Sequence, residues 1–144
     1  MATQAIIARL TDPDDPTKFA GMYVGGDGYP THTGRAVWRQ VVAHFRGDLD
    51  QAARYYIDQH PTGWKLLGAE AIGDDICYCH DMHEGEQDHW LRTQDQVDSI
   101  DYTYVLRPEG LEILRHGRGA GRLIVPWDQE RVNWEAIQEK AIAL

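Results

Sequence analysis

Apolar residues fall into short runs bounded by turn chemistry near both ends of the chain, and into stripes of helical spacing between them. Ala5 to Leu10 and Phe19 to Val24 read as strands. The turn-rich run Thr11-Asp12-Pro13-Asp14-Asp15-Pro16 separates them, so a hairpin is expected. Ile76 to His80 is a shorter strand candidate. Tyr102 to Leu106, Leu111 to Leu114 and Leu123 to Trp127 are rich in β-formers. Pro108-Glu109-Gly110 and the glycine-rich Gly117 to Gly121 punctuate them, which predicts an antiparallel meander.

Trp38, Val41, Val42 and Phe45 recur at three- and four-residue spacing and predict a helix with that stripe inward. Thr31 or Thr33 is placed to cap it, and Gly47 to end it. Asp48, with Gln51 three residues on, opens a second helix. Its inward side is Leu49, Ala52, Ala53 and Tyr56, and Pro61 stops it. Trp64, Leu66 and Leu67 form a packing segment of unassigned state. Asp81 to Asp101 reads as a polar, acidic connection. Asn133 caps a last helix carrying Trp134, Ile137, Ala141 and Leu144 on one side. The expected fold is α+β: an antiparallel or mixed β-sheet with about three helices packed on one face, in a single domain over 1–144.

A chain of 144 residues can bury its own core. The formal net charge of -9 argues against nonspecific nucleic-acid binding, which needs a basic surface, and favours a basic protein partner. No basic segment leads into a long apolar run, and no run reaches the length of a membrane span. The expectation is a cytoplasmic protein, monomeric or weakly homodimeric, with no membrane contact. The cysteines are two, Cys77 and Cys79, too few for a disulfide scaffold and simplest as reduced thiols.

The run Tyr23-Val24-Gly25-Gly26-Asp27-Gly28-Tyr29-Pro30, then Gly34 and an amphipathic helix, resembles a family of small uncharacterised phage and prophage proteins. Its members read strand, Asp-Gly-Tyr-Pro, a glycine four residues later and a helix, followed by a short Gly-Asp segment, here Gly47-Asp48. A Tyr-rich strand leading into a hairpin resembles Asp101 to Leu111. The likeness is clearest over residues 19–50. Members often carry Cys-His just before the motif, where this chain has Gly25-Gly26. The resemblance implies phage or prophage origin and a bacterial host cell. The family has no settled activity to carry over.

Three stretches carry candidate chemistry. Cys77, Cys79, His80, His83, Glu84 and His89 hold thiolate and imidazole ligands of the kind zinc prefers. Cys77, Cys79, His83 and His89 are the candidate zinc set, although the spacing departs from paired-ligand patterns. The alternative is a strand followed by a solvated histidine-rich loop. Asp27 and Tyr29 form the second candidate, as a ligand or partner loop beside a helix start and Arg35, or as a structural turn. The phosphate-loop pattern is missing there. The third is acidic: from Asp74 to Asp101 there are nine acidic residues and one basic residue, Arg92. Asp81, Glu84, Glu86 and Asp88 would supply the field of a docking face and Trp90 its aromatic anchor. The alternative is a solvated connection.

His32, His44, His60 and His116 are scattered and read as surface or capping residues. Ser99 lacks a nucleophile elbow, and His83-Glu84-Gly85 lacks the second histidine of a zincin. The expected function is a non-catalytic acidic interaction protein that binds a host or phage protein. The alternative is a small zinc-binding protein or metal-dependent enzyme using the Cys77 to His89 cluster.

Overall fold

A computed structural model describes residues 3–60, 63–68, 75–77, 91–117 and 119–143. Strands β1 (Ala5–Leu10) and β2 (Phe19–Val24) pair antiparallel as the expected hairpin. A π-helical turn over Pro30–Gly34 runs into α1 (Arg35–Ala43). Helix α2 (Leu49–Ala53) runs into a second π-helical turn, Arg54–Asp58. Then come β3 (Trp64–Leu66), β4 (Ile76–Cys77) and β5 (Leu91–Thr93). The meander β6 (Tyr102–Arg107), β7 (Gly110–Arg115) and β8 (Gly121–Pro126) follows, and α3 (Trp134–Ala143) ends the chain.

The strands form one mixed sheet in the order β4-β3-β2-β1-β6-β7-β8. β1 runs parallel to β6, and β2 parallel to β3; the other pairs are antiparallel. β5 shares the outer edge of β2 with β3.

Side chains alternate across a strand, so the sheet has two apolar faces. Ala5, Ile7, Met22, Val24, Tyr104, Leu106, Leu111 and Ile113 join the larger core. Val37, Val41, Ala52, Tyr56 and Trp134 bring all three α-helices to that face. The opposite face buries Ile6, Ala8, Phe19, Tyr23 and Val105 under Val97 and Ile100. The fold is therefore α+β, with the helices on one side of a mixed sheet.

Some local expectations need correction. No side chain caps α1; the Thr33 hydroxyl instead donates to the Asp27 carbonyl at 2.7 Å. Its inner face is Ala36, Val37, Gln40 and Val41, while Val42 is 38% exposed. Gln40 goes inward because its amide is matched. It accepts from the Tyr56 hydroxyl and donates to Asp75 Oδ1 at 3.1 Å. Asp48 does cap α2, accepting from the Gln51 N–H at 3.1 Å. The stretch read as a polar, acidic connection, Asp81 to Asp101, contains β5, which pairs with Ala20, Gly21 and Met22. Trp64 to Leu66, left unassigned, is a strand. The residues 61, 74, 78–90 and 144 named in the sequence reading lie outside the described residues.

Candidate functional site

The loop from Asp27 to Gly34 is tied to the fold at nearly every position. Asp27 has φ 49°, in the left-handed region that asparagine and aspartate tolerate best among residues with a Cβ. Gly28 donates to the Thr3 carbonyl at 2.9 Å and accepts from the buried Tyr104 hydroxyl at 2.6 Å. A Cβ on Gly28 would lie 2.8 Å from the Ala5 Cβ, so only glycine fits against β1. Pro30 is buried and opens the π-helical turn, where a missing N–H costs little. A Cβ on Gly34 would meet the Tyr104 ring at 2.9 Å and Trp134 at 3.4 Å. The Asp-Gly-Tyr-Pro run and its following glycine thus have a packing explanation, and Tyr29, half-buried against the larger core, is the member that also reaches a cleft.

Tyr29 lines an open cleft of about 570 Å³ with Ser99, Asp101, Tyr102, Arg115 and His116. These residues meet because β1 and β6 begin, and β7 ends, at the same end of the sheet. Tyr102 stands opposite both Ala5 and Arg115. The His116 N–H donates to the Asp101 carbonyl at 3.0 Å, which closes that end. Gln138 joins the lining from α3, and its Oε1 accepts from the Thr31 N–H at 3.1 Å.

Several polar groups in the cleft are engaged. The Tyr29 hydroxyl donates to Asp27 Oδ1 at 3.3 Å, and its ring meets His32 edge-on at 6.3 Å. Asp101 Oδ2 accepts from the Gln4 N–H at 2.9 Å. His116 Nε2 lies 2.6 Å from the Thr103 hydroxyl. Burial holds the His116 pKa below its ordinary value, with Asp101 pulling the other way. The Tyr29 pKa is raised, first by burial and then by the Asp27 charge. Ser99 sits at φ 66° on the rim. Serine, histidine and aspartate therefore share one lining, but His116 Nε2 bonds Thr103. The arrangement offers an aromatic surface between charges of both signs, which suits recognition.

Of the interaction residues expected from sequence, Asp27 and Tyr29 belong to this site. Asp81, Glu84, Glu86, Asp88 and Trp90 lie outside the described residues, as do Cys79, His83 and His89. Cys77 is described: it is buried on β4, opposite Trp64. Among the described residues no three His, Cys, Asp or Glu side chains are grouped to hold a metal ion. No helix among the described residues is long and apolar enough to cross a membrane. His116, expected at the surface or in a cap, is half-buried in the cleft. Asp101, Tyr102 and Arg115 were not singled out. The signal that could have found them is the strand register, because residues just before β6 and at the end of β7 must share one sheet end.

No protein-family model matches the chain, and neither the curated proteins nor the solved structures contain a match.

Proposed function

We propose that this chain is a non-catalytic interaction protein of phage or prophage origin, acting in the cytoplasm of a bacterial host and holding a host or phage protein at the Tyr29 cleft. The observation that carries this reading is the fate of the Asp27 to Gly34 loop. Its glycines, proline and threonine serve packing alone, while Tyr29 rests partly on the core and partly lines an open cleft. The engagement of Asp27, Asp101 and His116 with their own chain supports recognition over acid–base chemistry.

The partner this site suits presents a lysine or arginine. A cation can rest on the Tyr29 face beside Asp27 and Asp101, and the net charge of -9 steers basic surfaces inward. The acidic stretch of Asp81, Glu84, Glu86 and Asp88, with Trp90 as anchor, is the second part of the proposal and rests on sequence alone. The protein works as a monomer or weak homodimer, which light scattering tests. Capture from host lysate tests the function, with wild type and Tyr29→Ala immobilised side by side. The variant should unfold within a few degrees of wild type and lose the captured protein. Full retention of that protein by a folded variant sinks the reading.

The second reading is a small zinc-binding protein or metal-dependent enzyme. It is favoured by the burial of Cys77 at the start of the cysteine–histidine stretch. Elemental analysis of tag-free protein purified without chelator separates the two. Stoichiometric zinc lost on substituting Cys77 or His83 supports the metal reading, and a ratio near zero ends it.

A further inference from the structure

Strand β8 ends the sheet with six residues, whereas the outer strands on the other side, β4 and β5, have two and three. An edge strand presents N–H and C=O groups that no neighbouring strand takes up. Which groups those are follows from the turn between β6 and β7. Only Pro108 and Glu109 separate the two strands, so Arg107 and Gly110 close the hairpin as a hydrogen-bonded pair. Hydrogen-bonded and open pairs alternate from there. Leu111, Ile113 and Arg115 thus aim their backbone groups at β8, where Val125, Leu123 and Gly121 answer them. Arg122 and Ile124 aim theirs outward. Among the described residues none of those four backbone groups has a partner.

Both ends of this edge are closed. Pro126 has no N–H, and its carbonyl accepts from the Trp38 indole N–H at 3.1 Å. The Ala120 N–H donates to the Gly117 carbonyl at 3.1 Å. What remains is two donors and two acceptors, a set that complements itself about a two-fold axis. Centred on Leu123, the axis sets each copy's Arg122 against the other's Ile124, and every outward group is paired. Centred on Arg122, it opposes two like charges and calls on the engaged Ala120 N–H. Centred on Ile124, it sets Arg122 against Pro126, which has no donor.

We infer that two copies of this chain join edge to edge through β8, antiparallel about Leu123, into one continuous sheet. The side chains agree with that register. Half-buried Leu123 lies against its own counterpart, and Arg122 falls in the row that holds Ile124 and Glu112 of the other copy. Each copy brings one Arg122–Glu112 ion pair to the seam, so the contact is electrically balanced in a chain of net charge -9. Two short edges cover well under the roughly 1,200 Å² of a stable complex. The dimer is therefore weak, with a dissociation constant of about 0.1–1 mM. Neither Arg122 nor Ile124 lines the Tyr29 cleft, so loss of that reading leaves this contact untouched.

Sedimentation equilibrium of the full chain, up to about 2 mM, should show a monomer passing into a dimer. Ile124→Pro removes the outward N–H and no bond within the chain. It should fold and weaken the dimer by about tenfold or more, since two of the four seam hydrogen bonds go. Leu123→Cys should cross-link two copies under a mild oxidant, because an open pair brings its two Cβ atoms within disulfide reach. Arg122→Cys should not, since its counterpart sits two positions along. Wild type is the control for the native cysteines, and the cysteine pair decides the matter if Ile124→Pro does not fold. A lone monomer throughout the range overturns the inference. So does full dimer affinity in a folded Ile124→Pro variant, or equal cross-linking at positions 122 and 123.

Discussion

Glu112 is a carboxylate placed on a sheet face, and its side chain is 3% exposed. It is held by Arg107 Nη1 at 3.1 Å and by Arg122 Nε. Arg107 Nε also sits 2.9 Å from Glu109 Oε2, as a charge pair outside hydrogen-bond alignment. The two arginines differ in their access to water. The Arg107 side chain is 13% exposed and Arg122 55%. Removing Glu112 takes one of two carboxylates from the largely buried Arg107, which keeps Glu109, so Glu112→Ala should cost about 2–3 kcal/mol. Arg122→Ala should cost about 1 kcal/mol or less, since that guanidinium already reaches solvent. Urea unfolding of both variants checks the contrast, and equal losses would refute it. His116 adds a pH dependence. Its folded pKa lies below the ordinary value because of burial, against the pull of Asp101. The unfolded chain therefore takes up that proton first as pH falls. The contribution is whole above about pH 6.5 and is lost as pH falls through that value toward the folded pKa. His116→Gln should flatten the melting temperature between about pH 5 and 7. A profile unchanged by the substitution would show that another group sets the slope.

Among the elements, α3 closes the larger core. Asn133 Oδ1 accepts from the Ala136 N–H at 3.1 Å and starts the helix where the sequence suggested. Trp134 is 6% exposed and packs against Trp38 and over Gly34. Trp134→Ala should cost about 3–5 kcal/mol through lost burial and an unfilled cavity. A loss below about 0.5 kcal/mol in denaturant would mean the helix is not docked. Both hairpins and the three α-helices were legible because turn chemistry and apolar spacing act locally. The inner face of α1 was misread at Gln40 and Val42. A matched amide went inward there, and spacing alone cannot anticipate a distant partner such as Asp75. β5 was missed for a related reason. Leu91-Arg92-Thr93 has little strand character of its own, and its pairing to β2 supplies the state.

At the scale of the whole molecule, the smaller part of the candidate site was readable and the larger part was topological. Asp27 and Tyr29 stand in a motif visible in the sequence. Asp101, Tyr102, Arg115 and His116 join them through the parallel pairing of β1 with β6, which local patterning does not encode. That same pairing has a kinetic meaning. Ala5 meets Val24 on one side within a short hairpin, and Tyr102 on the other across most of the chain. The two strand clusters can each zip up on their own, whereas the seam between them must close a very long loop. Closing it is the improbable event, so the seam belongs to the folding transition state. Ile7→Val and Val105→Ala should slow folding. Val125→Ala, at the far end of the meander, should mainly hasten unfolding. Chevron plots that show the reverse would place the seam after the barrier. On this view the first strand acts as a keystone. In synthesis it emerges well before its second neighbour, which lies nearly a hundred residues further along. Until then β1 presents an open edge, and the growing chain is most exposed to mispairing during that interval.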